Sequence, residues 1–545
     1  MLKKSFLLLS GTALCLLSGC AGRGVSTPSD NQIRYGEGIA EVKTAFGTVA
    51  GYEQGGLYIF KGIEYAEADR FMPPHDPSRW DGVKTVRAYG PVSPQSHHVI
   101  SADSDEFAFN WTDGYMGEDC LRLNIWTKGI NDGGKRPVMV WIHGGGFSAG
   151  NGQHLPCYDG SAAAKKGDVV TVTLNHRLNC VGFLDLSSFG EKYRYSGNVG
   201  ILDIIAALKW IKGNIASFGG DPGNVMIYGQ SGGGGKISTL MVTPSAAGLF
   251  HKAAIQSGST LALMESKYSS RIGELTVKNL GLDAAHVDEM SEIPYEKIAE
   301  ASEAAVREVR PQADADGFSC FIFGLGPTVD GDFLPMQPSE GLRSGMSKDI
   351  PLLLGTNLNE FSVRTGMTYD NLTPEKLREM LLPRYGDDTD AYMAEYRRAY
   401  PSCEDRDLLE TDYMFRGFAV EQADLKAAQG GAPVFRYEFD FKSKAQGGMF
   451  RCPHNMELAF VHGNVEVQFG LTGDGPAERE LADKMSTAWI NFAKTGTPSA
   501  PGLPEWPSYD TANGATMIFD TECSVTRNHD RALLGIASRH PVRMF

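Results

Sequence analysis

The sequence is short of positive charge. Its 51 Lys and Arg stand against 66 Asp and Glu, giving a formal net charge of −15 and a pI near 5.3. No basic stripe runs through it. A nucleic-acid surface needs a cationic face to neutralise phosphates, so that class of partner is disfavoured. Cysteine is sparse too, at 9 residues, with no Cys-x-x-Cys and no Cys/His spacing of the kind that holds zinc. No metal and no organic cofactor is therefore expected. With Cys15 and Cys20 set aside, Cys120, Cys157, Cys180, Cys320, Cys403, Cys452 and Cys523 remain. That odd number requires a free thiol or a bond to another chain. Internal repeats, long low-complexity linkers and extended apolar runs beyond Leu17 are absent as well.

What is present begins with a leader. MLKKSFLLLSGTALCLLSGC has Lys3 and Lys4, an apolar run from Phe6 to Leu17, and small residues before Cys20. Charged head, short apolar core and small residues at a cut make a secretory signal, too short to span a bilayer comfortably. Leu17-Ser18-Gly19-Cys20 resembles a bacterial lipobox, which would make Cys20 the lipidated first residue of an exported, membrane-anchored protein. A plain signal peptide is the alternative. Residues 1–20 are thus expected to be a leader, 21–33 a small polar tether, and 34–545 a single folded domain.

Within that domain, short apolar runs alternate with helical patterns. PVMVWIH (137–143), DVVTVTLNHR (168–177), VMIYG (225–229), AAIQSG (253–258), PLLLGTN (351–357) and VFRYEFDF (434–441) are expected strands. Residues 200–218, about 232–241 and 477–496 have helical spacing. Such alternation predicts an α/β fold, a large mainly parallel sheet covered by helices on both faces. The acidic, helix-rich stretches 265–320 and 365–430 are expected to be excursions from that sheet.

The stretch YGQSGGGGK (228–236) admits two readings. A phosphate-cradling Walker loop ending at Lys236 needs Gly at position 230 and Ser or Thr at 237; the chain has Gln230 and Ile237. A GxGxxG dinucleotide loop fails in either register. The reading that fits is Gly229-Gln230-Ser231-Gly232-Gly233, a G-x-S-x-G between a strand and a helix, where a tight turn presents the serine as a nucleophile. His143-Gly144-Gly145-Gly146-Phe147 follows a strong strand, and its backbone N–H groups, with that of Gly232, could hold an oxyanion. A serine also needs a base, and the base an acid, in the chain order Ser, Asp/Glu, His. Glu360, just past the 351–357 strand, is the leading acid, with Asp330 and Asp332 as competitors. His454 leads among His454, His462, His529 and His540; the last two lie in a basic tail and are expected at the surface.

Two long stretches, FGGDPGNVMIYGQSGG (218–233) and GEDCLRLNIW (117–126), closely resemble the signatures of type B carboxylesterases, the cholinesterase-like branch of the α/β-hydrolases. The resemblance runs from about Gly36 to Tyr509 and includes GNVGILDIIAALKW, HGGGF, PTVDG and WINFAKTGTPS. It implies an α/β-hydrolase fold with helical excursions around an active-site gorge. It also implies hydrolysis of a small-molecule ester through an acyl-enzyme, by a Ser-Glu-His triad matching Ser231, Glu360 and His454. Gly145, Gly146 and Gly232 would be the oxyanion donors. Phe321 and Phe323 match positions that shape the acyl pocket in some relatives, which would favour short acyl groups.

The departures carry information. Gln230 stands where Glu is usual, removing a negative charge beside the site and weakening a choline-ester reading. Gly232 stands where Ala is usual, a mild change on the sequence alone. Trp111 lies near the family's cation-binding Trp at a different spacing, so a loop-anchoring role is the stronger reading. Cys120 lacks its family partner, since Gly90-Pro91-Val92-Ser93-Pro94-Gln95 has no cysteine. Some adhesion proteins of this fold are catalytically silent, but they typically lose a triad member. Carbamates and amides remain open as substrates, because one triad serves several acyl bonds.

Overall fold

The computed structural model describes residues 32–97, 103–320, 322–364, 369 and 372–541. The expected leader, Cys20, nearly all of the tether, and Phe321 lie outside the described residues.

Eleven strands form the central sheet. In chain order they are β1 (Tyr52–Gln54), β2 (Leu57–Glu64), β3 (Arg122–Thr127), β4 (Arg136–Ile142), β5 (Val170–Leu174) and β6 (Gly220–Gln230). They continue with β7 (Lys252–Gln256), β8 (Leu352–Asn357), β9 (Val434–Phe439), β10 (Ala515–Phe519) and β11 (Ser524–Arg527). Their spatial order is β11-β10-β9-β8-β7-β6-β4-β5-β3-β2-β1. Pairing is parallel from β5 across to β10 and antiparallel at both edges. The sequence reading of a mainly parallel sheet holds at its centre; the edge strands, short or irregular, were not legible from composition.

Alternation along the strands divides the core. Val138, Val140 and Ile142 of β4 pack with Val225 and Ile227 of β6 and with Ile201, Ile204 and Leu208 of the helix Val199–Asn214. The intervening Met139, Trp141, Met226 and Tyr228 pack on the other face with Trp489 and Phe492 of the helix Pro476–Thr495. Successive side chains of a strand point to opposite faces, so each central strand must be apolar on both. Between β7 and β8 the chain makes the helices Ser266–Asn279 and Tyr295–Ala315. Between β8 and β9 it makes Pro374–Tyr385, Thr389–Ala399 and Met414–Ala427. These are the two expected excursions. Among the described residues, no helix is long and apolar enough to cross a membrane.

After β4 the chain crosses to β5 on one side and then to β6 on the other. In open α/β sheets, ligands bind outside the carboxyl ends of the strands at such a switch point. The loops after β4, β6, β7, β8 and β9 all leave from that edge.

Seven described cysteines are free, including the buried Cys120, Cys157, Cys180 and Cys452. His529, expected at the surface, is instead largely withdrawn against Glu438, with Nε2–Oε2 3.2 Å. The tail folds back there because Asp530 pairs with Arg436 at 3.0 Å. Arg416, 2.8 Å from Glu438, completes a buried cluster in which two guanidinium groups already supply the cationic partners.

Candidate active site

Ser231 joins β6 directly to the helix Gly232–Leu240. Its φ of 57° and ψ of −127° are sparsely populated for any side-chain-bearing residue and cost about 1–3 kcal/mol. The turn is held from both sides. Ser231 N–H donates to the Gln256 carbonyl at the end of β7 (2.8 Å), and its own carbonyl accepts from Gly235 N–H (3.0 Å), opening the helix. Lack of side chains permits this turn. A methyl group on Gly233 would fall 2.1 Å from the Ile142 carbonyl oxygen, and one on Gly232 would fall 2.0 Å from that of Gly146. Gly232 is therefore required by close packing rather than a mild replacement of alanine.

That same contact brings the loop after β4 to the elbow. Gly145 and Gly146 have φ of 83° and 61°, a left-handed conformation open to glycine and costly elsewhere. Their N–H groups donate to no protein acceptor among the described residues. The N–H of Gly232 is the first of its helix and has no intrahelical partner. Three donors thus collect beside Ser231 at the positive end of a helix dipole.

Glu360 follows β8 and is buried, with a φ of 47°. Its Oε1 accepts from Ser257 Oγ (2.6 Å) and from Asn357 N–H (2.7 Å), and its Oε2 receives His454 Nδ1. His454 is buried as well, and its Nε2 has no hydrogen-bond partner among the described residues. The histidine's main chain is pinned three ways. His454 N–H donates to the Glu360 carbonyl at 3.1 Å. Its own carbonyl accepts from Gln230 Nε2 (2.7 Å) and Asn357 Nδ2 (3.2 Å). The ring sits against Phe361 and Phe415, at centroid distances of 4.1 and 4.9 Å. Phe415 is buried, while Phe361 is 50% exposed.

Burial dominates the electrostatics. It drives the proton affinity of His454 well down, so the ring rests neutral, its Nδ1–H toward Glu360. Burial pushes the Glu360 carboxyl upward, and the Ser257 and Asn357 donors and the Arg416 charge pull it back. Two further buried acids flank it. Asp412 is raised to about 7 and Glu457 to about 8, in each case by burial first and by the charge of Glu360 second. Of the three, Glu360 has the imidazole as a partner besides its two donors. A single negative charge is best held there.

The competing acids and bases fall elsewhere. Asp330 accepts from Asn198, Asp332 N–H and Leu334 N–H, and Asp332 from Tyr195 and Arg194. His462 is walled by Trp141, Tyr158 and Tyr228, and His540 pairs with Asp388 at 2.9 Å. Trp111 stacks on Phe109 at 4.9 Å and packs against His154, as a loop anchor does. Phe323 packs with Tyr268 and Phe318 under the Arg310 guanidinium. Its neighbour Ile322 is the side chain set against the glycine loop, its Cδ1 3.1 Å from where a methyl on Gly146 would lie. Gln230 is 2% exposed, and its amide is engaged with His454 rather than open to a substrate. Ser257, Asn357, Ile322, Phe361 and Phe415 carried no sequence signal of their own. Only the position of Phe361 next to Glu360 could have drawn notice.

A family model described as the carboxylesterase family matches residues 39–532. The para-nitrobenzyl esterase of Bacillus subtilis is 35% identical over 494 residues, covering 89% of this chain and 95% of that one. Phenmedipham hydrolase of Pseudarthrobacter oxydans is 30% identical over 495 residues, covering 88% and 94%. Among solved structures, an esterase from anaerobic Clostridium hathewayi that can hydrolyze aliphatic aromatic polyesters superposes with a TM-score of 0.84. It is 36% identical, and the match covers 94% of this chain and 100% of that one.

Proposed function

This chain belongs to the carboxylesterase family and is a serine hydrolase of carboxylic esters, and from that premise we propose that Ser231, Glu360 and His454 are its catalytic triad. The observation that carries this reading is the buried Glu360–His454 pair, set at the carboxyl edge beside the elbow, with imidazole Nε2 left unpartnered. His454 Nε2 takes the proton of Ser231 as Oγ attacks the ester carbonyl. Glu360 fixes the tautomer and stabilises the imidazolium. Gly145, Gly146 and Gly232 donate to the oxyanion, the alcohol leaves with the proton from His454, and water repeats the sequence on the acyl-enzyme. Catalytic hydrogen bonds in unliganded enzymes are often long and tighten with substrate.

Short acyl groups are the proposed preference, supported by Ile322 against the Gly146 turn. The leaving group is proposed to rest on the half-exposed ring of Phe361, which suits an aryl ester. Export with lipid attachment at Cys20 is proposed from the leader sequence. A Cys20→Ser variant would then leave the membrane fraction; retention of that variant in the membrane would overturn the anchor.

The test is hydrolysis of p-nitrophenyl acetate, butyrate and octanoate, with a carbamate and an amide as further arms. Ser231→Ala should lose on the order of 10⁶ in kcat, and acetate and butyrate should outrun octanoate. Equal rates for the two proteins would overturn the triad, and a flat chain-length profile would overturn the acyl preference.

A further inference from the structure

The lysine that closes QSGGGGK plays no part in the mechanism above. Lys236 lies on the second turn of the elbow helix and has no exposed surface. Its Nζ donates to the carbonyl of His143 at 3.0 Å, with the Phe147 ring 6.0 Å away. Both acceptor and ring belong to the loop that carries Gly145 and Gly146.

Among the described residues, no anion balances this amine. The groups that face it are bases: His143 and His176 lie stacked at 4.9 Å, with His154 and Arg177 beyond them. Arg177 is itself taken up by Asp203 at 2.7 Å. Nδ1 of each stacked ring meets a neighbouring carbonyl at 2.9 Å, while both Nε2 atoms are buried without partners among the described residues. Burial, and then the nearness of Lys236, keep both rings neutral. Burial also lowers the amine itself to about 7.

A cation here is unfavourable at rest. It is desolvated, without a counter-ion, and near the positive end of a helix dipole. Only a negative charge forming on the far side of the glycine loop would offset those terms. Resting on the reading of Ser231 as nucleophile, we propose that Lys236 is a positioning residue of the oxyanion site. It fixes the His143–Gly144 peptide so that the following N–H groups turn to the reaction centre, and its ammonium form adds positive potential behind them.

The sign follows directly. The ammonium is the active form, so kcat/KM should fall as pH rises through the amine's value, near 7. This is the opposite limb from the one that His454 sets.

The experiment measures kcat and KM of the full chain on p-nitrophenyl acetate from pH 5 to 10, corrected for uncatalysed hydrolysis. Wild type, Lys236→Met and Lys236→Gln are compared, with thermal unfolding of each. Loss of a direct oxyanion donor costs about 10²–10³ in rate, so an indirect charge should be worth about tenfold. Lys236→Met should therefore lose about tenfold in kcat near pH 6 with KM little changed, lose the alkaline limb, and melt no lower than wild type. Lys236→Gln, which keeps a donor to the carbonyl, should recover part of kcat but not the limb. If Met does not fold, the missing limb in Gln carries the test. A scaled wild-type pH profile in both variants would overturn the proposal and leave Lys236 as core filling. If Ser231→Ala leaves the wild-type rate unchanged, it is the triad that fails, a distinct result.

Discussion

Gln230 donates its side-chain amide to the main-chain carbonyl of His454 at 2.7 Å, tying the residue before the nucleophile to the residue that serves as its base. A buried acceptor that loses its donor costs about 1–3 kcal/mol. Gln230→Glu keeps the shape but loses the donor whenever the carboxyl ionises, and then sets a charge against a carbonyl. The variant should lose about tenfold or more in kcat/KM at neutral pH and recover toward acid, where the carboxyl carries a proton and donates again. A pH–rate profile parallel to that of wild type would contradict this.

Gly232→Ala tests the closeness of the two loops. Its methyl would fall 2.0 Å from the Gly146 oxygen, so the glycine loop must retreat. The expected loss is about 10²–10³ in kcat, the size of one oxyanion donor, with the fold retained by circular dichroism. A variant of near wild-type rate would show that the loop can yield freely.

Phe361 offers a half-exposed ring tilted against the imidazole. An aromatic contact of this kind is worth about 0.5–1.5 kcal/mol beyond its area. Phe361→Ala should raise KM for phenyl and naphthyl esters several-fold more than for ethyl esters. An unchanged ratio between the two series would remove Phe361 from the substrate surface.

His462, like His143, His176 and His454, is a histidine whose proton affinity burial lowers, in its case to about 3. Unfolded, the same group titrates near 6.5, so the unfolded chain binds the extra proton between those values. Its contribution is fully present above 6.5 and is lost as pH falls toward 3. Denaturant midpoints should drop below pH 6.5, and His462→Phe should flatten that drop. An equal drop in His462→Phe would contradict its burial as the cause.

The elbow was readable because it is local. A nucleophile on a strand-to-helix turn demands small neighbours at fixed offsets, and 229–233 supply them. Glu360 and His454 are 94 residues apart; residues alone put them first but left Asp330, His462 and others in play, and the resemblance narrowed the choice to the pair. Ser257 could not be found that way. Its hydroxyl reaches Glu360 because β7 and β8 run parallel in register, Gln256 opposite Gly355, a relation fixed by packing of the whole sheet. Phe323 packs with Tyr268 and Phe318, contacts that an irregular segment does not reveal in sequence. His529 read as surface because basic residues surround it in sequence, while its carboxylate partners arrive from β9 and Asp530.

The central claim is that Ser231 is the nucleophile primed by His454. Its most direct test is labelling with a fluorophosphonate, followed by mass spectrometry of the peptide containing Ser231. The account predicts one stoichiometric adduct, on Ser231, with labelling slowed by orders of magnitude in His454→Ala. An adduct on another residue, or labelling indifferent to His454, would contradict it.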